Sequence, residues 1–278
     1  MLNYKKDFEI TNSIIKRDYY DEYDKLYFSS NENLKDIFHD MDFTGKKVLT
    51  VLASGDQAFH FYDHNATEVD LFDKNKLTLY YFYLRIWFIE IENKYDITLS
   101  MDNTTIIKLL KEVNPKTAEE KEAYKYWKEY FKKYFYMKYA LLNLQGEKPN
   151  RKNIIDNLDK IKSSIKGRNF NFYNINLASK HLKLNKKYDV IYTSNIIDWL
   201  FYDLRLYEIY AKNLNNLLED DGLIICSDLN REGACKYELD IMEKYFEYKA
   251  LPNKNRKILS YDASSPGYTY KKKKGQKS

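Results

Sequence analysis

The 278-residue chain is short of several residue types and motifs, and each shortage excludes something. Two cysteines, Cys226 and Cys235, are too few for a disulfide framework or a cysteine-rich metal site. The four histidines, His39, His60, His64 and His181, lack H-E-x-x-H spacing, so no metal site is expected. His60 and His64, one helical turn apart, read as helix surface. Lys, Asp or Glu breaks every apolar stretch well before a bilayer-spanning length, so no transmembrane helix is expected. The opening MLNYKKDFEI has no apolar core behind its lysines, which argues against a signal peptide. Neither G-x-S-x-G nor a Walker loop occurs, which removes the hydrolase and NTPase readings that depend on them. Proline (4) and glycine (8) are scarce, so each glycine is informative about where the backbone needs its freedom.

What is present is enough for a folded core. At 44% hydrophobic and 17% aromatic, the chain has more apolar surface than a disordered one can leave in water. Its length suits one large domain or two small ones. The net charge of +5 is local: Lys271, Lys272, Lys273, Lys274 and Lys277 fall in the last eight residues, and the other 41 bases match 41 acids. Such a tail is either a solvated terminus or a weak attractor for anionic membrane or nucleic acid. Charge alone makes no case for nucleic-acid recognition. The expectation is a cytoplasmic protein with, at most, transient peripheral contact at the inner membrane surface. Tyrosine is abundant (28) alongside Lys and Asn, a codon-bias pattern that makes a tyrosine stripe weak support for a ligand platform.

Periodicity divides the chain. Residues 1–43 read as helical, with Ser30 or Asn31 capping a turn before Leu34, Ile37 and Phe38. KKVLTVLASGDQ is an apolar, β-branched run ending in Ser54, Gly55 and Asp56, and EVDLFDKN is a second ending in Asp73. Between them a short helix closes at Asn65, a residue that tolerates the left-handed conformation. Residues 77–167 read as a helical insertion, a cap that shapes the substrate site. Thr117 and Glu120 form a capping box at the head of a long helix. Tyr124, Trp127, Phe131, Tyr134 and Phe135 recur along it at helical spacing, as an internal packing face or as part of the cap. Strands resume at NFNFYNINL, KYDVIYTSNIIDWL and DGLIICSDL, with a helix over 202–218 and two more strands around Pro266 and Gly267. The predicted fold is α/β and Rossmann-like, a doubly wound, mostly parallel sheet built from residues 44–76 and 168–270. The helical insertion falls between its second and third strands. A basic tail, 271–278, follows.

Ligands of such sheets bind at the carboxyl ends of the strands. Those ends carry Ser54, Gly55, Asp56 and Gln57; then Asp73 and Asn75; then Asn174 and Asn176; then Thr193, Ser194, Asn195 and Asp198. Asp73 stands eighteen residues after Gly55, near the spacing at which an acid accepts from both ribose hydroxyls. The G-x-G-x-x-G fingerprint is missing, and an acid directly after the one glycine would repel a diphosphate. A nucleoside without phosphates fits better, S-adenosylmethionine (SAM) being the common one. The alternative is an α/β fold whose polar strand ends merely cap helices.

NENLKDIF, KKVLTVLASGDQAF, EVDLFDKN and YDVIYTSNIIDWL together resemble the family of the bacterial betaine-lipid synthase. That family moves a 3-amino-3-carboxypropyl group from SAM to diacylglycerol. Its pattern, VLTV-x-x-SGDQ, then FD-x-N, then SN-I, is matched by Val48 to Val51 with Ser54 to Gln57, by Phe72, Asp73 and Asn75, and by Ser194 to Ile196. The resemblance spans roughly residues 31–228 and implies the SAM-dependent methyltransferase fold, SAM as cofactor and aminocarboxypropyl transfer. Thr50 stands where ordinary methyltransferases often carry an acid. The chain is shorter than the lipid-synthesising members, which departs from the family's lipid acceptor and leaves a diacylglycerol-like lipid and a small metabolite as alternatives for an unknown acceptor. The cofactor-binding set is Ser54, Gly55, Asp56, Gln57, Asp73, Asn75, Asn176, Ser194 and Asn195. Asp56 is a candidate for the ammonium of the amino-acid arm, and Ser54, Gln57 or Arg85 for its carboxylate. Asp198 and Tyr192 are the candidate proton acceptors, against a helix cap for the first and packing for the second. Two rivals remain, a small-molecule methyltransferase and a catalytically idle SAM-binding module.

Overall fold

Short β-branched runs become the middle of a sheet because, as parallel strands, they bury both faces. The computed structural model describes residues 2–16, 26, 30, 32–93, 103–134, 155, 157–166, 170–200, 203–227, 236–250 and 267–273. Cys235, Phe135, Lys274, Lys277 and Pro266 lie outside the described residues. The chain divides into two compact units: Asn31–Val51, His60–Lys74 and Phe170–Ser278 form one, and Met1–Ser30, Leu52–Phe59 and Asn75–Asn169 the other.

The first unit holds the sheet. Its strands are β1 (Lys47–Val51), β2 (Glu68–Asp73), β3 (Phe172–Asn174), β4 (Tyr188–Ser194), β5 (Leu218–Ser227), β6 (Phe246–Ala250) and β7 (Gly267–Lys272). They run in the order β3-β2-β1-β4-β5-β7-β6. β1 pairs in parallel with β2 (Val51 opposite Phe72) and with β4 (Val48 opposite Val190). β7 alone runs antiparallel, between β5 and β6. The order reverses at β1, giving the doubly wound, Rossmann-like arrangement, with a β1/β4 switch point. Helix α8 (Leu204–Leu217) buries Tyr207, Tyr210, Ala211, Leu214 and Leu217, one stripe at helical spacing. Asp203 caps it, accepting from the Arg205 amide at 2.9 Å.

Four expectations shift here. Asn33, not Ser30, caps the short helix α2 (Leu34–Phe38), accepting from the Asp36 amide, and Asn31 lies outside the described residues. β5 starts at Leu218, with irregular pairing until Leu223, because Gly222 packs against Leu218 where a Cβ would sit 2.7 Å from Leu218 Cγ. Lys271 and Lys272, counted with the basic tail, lie in β7. Lys272 is buried, donates to the Leu218 carbonyl and pairs with Asp220 at 3.1 Å, so its charge serves packing. His60 is buried rather than on a helix surface, 6.1 Å from the Phe38 ring and 6.4 Å from that of His64. No group of three metal-ligating side chains occurs among the described residues.

One buried acid locks the sheet. Asp70 in β2 accepts from the Tyr188 hydroxyl (2.8 Å), the Lys186 ammonium (2.7 Å) and the Asn171 side chain (3.0 Å). Burial, then the bond to Asp70, raises the Tyr188 phenol well above its ordinary range, so it remains a donor.

The second unit is helical: α1 (Tyr4–Ile15), α4 (Leu77–Trp87), α5 (Asn103–Glu112), α6 (Ala118–Tyr134) and α7 (Leu158–Ile165). α4, LTLYYFYLRIW, is buried at every position and runs into a π-helical turn, Phe88–Glu92, that Asn93 ends in the left-handed conformation. The capping box forms as expected: Thr117 Oγ1 accepts from the Glu120 amide (3.1 Å) and Glu120 Oε2 from the Thr117 amide (3.3 Å). The α6 stripe is core. Trp127, Phe131 and Tyr134 are buried, Tyr126 stacks on Tyr80 with centroids 4.1 Å apart, and Trp127 Nε1 donates to the Tyr80 carbonyl at 2.7 Å. The Tyr80 hydroxyl donates to buried Asp7 on α1, which also holds Lys76. Tyr124 is half-buried.

Trp127→Ala is expected to destabilise the protein by about 3–5 kcal/mol, the range for deleting a large core ring. Trp127→Phe should cost much less, since it keeps most of the volume and loses the indole bond. Urea unfolding followed by circular dichroism measures both. Equal, small effects would mean that α6 is not packed as a core helix.

Candidate functional site

The turn that follows β1 lies in the helical unit. The Gly55 amide donates to the Leu52 carbonyl, closing a tight turn in which Ala53 (φ 42°) and Gly55 (φ 87°) are both left-handed. Gly55 is required twice over: its φ disfavours any side chain, and a Cβ would lie 2.7 Å from Phe82 Cδ2. Directly afterwards Asp56 opens helix α3 (Asp56–Asp63).

Asp56 is 1% exposed and Arg85, from α4, 3%, and they form an ion pair at 2.8 Å. Desolvating two charges costs several kcal/mol per ion, which an interior pair offsets only with good geometry and further hydrogen bonds. Both are present. Asp56 Oδ2 accepts from the Ser30 amide (2.6 Å) and from Ser54 Oγ (2.9 Å). Arg85 also donates to the Ser54 carbonyl (2.8 Å) and lies 5.1 Å from the Phe59 ring centroid. Gln57 is buried, with a long bond to Ser30 Oγ (3.4 Å). Two expectations change as a result. Arg85 compensates the charge of Asp56, so the case against a diphosphate rests on the missing glycines and not on repulsion. Arg85 also grips the turn itself, and its guanidinium meets an internal carboxylate and a backbone carbonyl.

The other strand ends lie in the sheet unit. Asp73 closes β2 at 8% exposure, and its carbonyl accepts from the Asn174 side chain (3.0 Å) and the Ile175 amide (3.1 Å). Asn176 is exposed and accepts from the Ala178 amide (2.9 Å), a turn-capping bond. Asn75, in the helical unit, likewise accepts from the Leu77 amide (3.0 Å) at the start of α4. Cys226 is buried in β5, its sulfur 3.2 Å from Thr193 Oγ1.

The end of β4 is built around an acid that sequence analysis passed over. Glu32 is fully buried and accepts from Tyr192 (2.8 Å), from Ser194 (2.5 Å) and, by a very short contact, from Ser227 at the end of β5. Tyr192 pairs with Ile225 and Ser194 with Cys226, so β4 carries one residue more than β5 across this step. That bulge, with Ser194 left-handed at φ 56°, re-aims the strand end. Tyr192 was expected as a proton acceptor. Instead, complete burial and then Glu32 raise its phenol well above its ordinary range, so it keeps its proton and donates. Asn195 Oδ1 lies 3.2 Å from Ser194 Oγ. Asp198 falls in the 3₁₀ turn Ile196–Leu200, its side chain outside the described residues.

Thus Ser54, Gly55, Asp56 and Gln57 gather with Arg85 in one unit, and Tyr192 and Ser194 gather around Glu32 in the other. Ser227 was detectable in principle as the polar end of the fifth strand run, ICS. Glu32 was not, because it lies between helices with no periodicity to orient it.

No protein-family model and no curated protein matches the chain. Among solved structures it is similar to the N-methyltransferase NodS from Bradyrhizobium japonicum WM9 in complex with S-adenosyl-L-homocysteine. That likeness has 8% identity and a TM-score of 0.43, over 96% of this chain and 98% of that one. It is also similar to a TehB-like SAM-dependent methyltransferase from Corynebacterium glutamicum (10%, TM-score 0.44, 98% and 97%). A third is an S-adenosylmethionine-dependent methyltransferase from Clostridium acetobutylicum (11%, 0.43, 96% and 98%). The fold assignment rests on the strand order and parallel register of the sheet, not on these distant likenesses.

Asp56→Ala is expected to cost about 3–5 kcal/mol, because it leaves the Arg85 guanidinium buried without its carboxylate. The double variant Asp56→Ala/Arg85→Met should recover part of that loss. A double-mutant cycle in thermal unfolding gives the coupling, and additive effects would mean that the pair does not hold the turn.

Proposed function

We propose that the chain is a SAM-dependent transferase that moves the 3-amino-3-carboxypropyl group to a hydroxyl of a lipid or small metabolite and releases 5′-methylthioadenosine. One observation carries this. Three of the four stretches that resemble the betaine-lipid synthase family end just beyond the carboxyl ends of β1, β2 and β4, where a doubly wound sheet binds ligands. The donor chemistry suits an unphosphorylated nucleoside. Asp73 offers a carboxylate to the ribose diol, and the turn after β1 has a single glycine in place of a pyrophosphate cradle.

When bound, SAM supplies a sulfonium with three attached carbons, each open to displacement. Which group moves therefore depends on how the chain positions acceptor and amino-acid arm. In this proposal Asp73 holds the ribose, while Ser54, Gly55 and Gln57 hold the amino-acid arm. Asn75, Asn176, Ser194 and Asn195 complete the cofactor set, and Asp198 remains a candidate proton acceptor. Asp56 and Arg85 act at one remove by fixing the turn. No helix among the described residues is long and apolar enough to cross a membrane.

Asp73→Ala should leave the fold intact and weaken SAM binding. Losing charge-assisted bonds costs about 1.5–3 kcal/mol, roughly ten- to a hundredfold in affinity. Calorimetric titration checks this, and unchanged affinity would remove Asp73 from the site. Mass analysis of the nucleoside formed from SAM with a cell extract as acceptor tests the reaction itself. The proposal expects 5′-methylthioadenosine; S-adenosylhomocysteine would mean methyl transfer, and turnover to neither would favour an idle binding module.

A further inference from the structure

We propose that Glu32 and Ser194 form a proton relay in which Ser194 meets the acceptor hydroxyl and Glu32 stores the proton. This rests on the transferase proposal above and adds to it the residue that receives the proton. Three observations converge. Glu32, Tyr192 and Ser227 are each 0% exposed while Ser194 retains 8%, so within this cluster the serine is the least buried member. The Ser194 hydroxyl donates to Glu32 at 2.5 Å, which leaves its oxygen lone pairs to accept from an incoming hydroxyl. The backbone is also spent on this arrangement. A left-handed φ at a non-glycine residue and a bulge against β5 coincide at Ser194, the kind of local strain that persists at functional sites.

Tyr192 and Ser227 complete the device. Their hydroxyls donate to the same carboxylate and hold it in place beside Ser194. In the step, the acceptor oxygen bonds to the transferred carbon as that carbon's bond to sulfur breaks. The electron pair stays on the sulfur, which becomes a neutral thioether. The acceptor's proton passes to Ser194 Oγ while the serine's own proton passes to Glu32, so charge and atoms balance. Ser194 touches the acceptor and Glu32 acts through it, as a positioning residue and proton store.

Infrared spectra of the ligand-free protein, recorded as pH is lowered, test the relay without any turnover. A carboxylic-acid band should grow in that is missing from Glu32→Gln and displaced in frequency in Ser194→Ala. No such band before the protein unfolds, or a band indifferent to Ser194→Ala, overturns the proposal. Turnover gives the second readout, as 5′-methylthioadenosine released from SAM with the cell extract as acceptor. Both variants should lose about 10²- to 10⁴-fold in kcat, with SAM affinity nearly unchanged in Glu32→Gln, which should also abolish the acid limb of the pH–rate profile. Retained kcat in Glu32→Gln also overturns it. If Glu32→Gln does not fold, Ser194→Ala decides on both readouts. A wild-type protein that binds no SAM would sink the transferase proposal, while the infrared result still judges the Glu32–Ser194 pair by itself.

Discussion

A carboxylate taken out of water must be matched by donors, and that constraint organises both units. Asp7, Glu32, Asp56 and Asp70 are each no more than 2% exposed. Each is met by a different combination: Tyr80 and Lys76; three hydroxyls; Arg85 with a serine; Tyr188 with Lys186. Removing any one partner would strand a buried polar group at a cost of about 1–3 kcal/mol, more where the group is charged. The polar interior thus specifies which segments meet, a task that apolar packing leaves loosely defined. Asp7 joins α1 to α4, and Asp56 ties the turn after β1 to α4. Asp70 joins β2 to the start of β4, and Glu32 ties the segment before α2 to the ends of β4 and β5.

The same constraint explains the tyrosine richness without invoking a ligand. Tyr80, Tyr188 and Tyr192 supply a large apolar ring and one hydroxyl, which fills core volume and satisfies an acid at once. Burial keeps all three protonated, so they act as donors. The strand-end groups Asp73 and Ser194 each retain 8% exposure.

Local features were legible in the sequence. The runs KVLTV, EVDLFD and YDVIYTS are strands because apolar and β-branched residues follow one another without helical periodicity. The Thr117–Glu120 box and the left-handed Asn65 are decided within a few residues of chain. What escaped was long-range. Glu32 finds Ser194 and Ser227 across more than 160 residues, and no local pattern encodes that meeting. Asp56 looked like a ligand for an ammonium because its partner, Arg85, lies in another helix. Lys272 looked like a tail lysine until β7 carried it beside Asp220. His60 looked exposed because a two-histidine spacing says nothing about which helix face is covered. Asn33 rather than Ser30 is the cap because it is the residue directly before Leu34, where its side chain meets the Asp36 amide.

The central claim is that the polar carboxyl edge of the sheet serves an adenosine nucleoside without phosphates. Calorimetric titration of the wild-type protein with SAM, with NAD and with ATP, run side by side, tests it most directly. The account predicts saturable one-to-one binding of SAM and little or none of the two phosphate-bearing nucleotides. Absence of SAM binding by a folded protein, or tighter binding of NAD or ATP than of SAM, would contradict it.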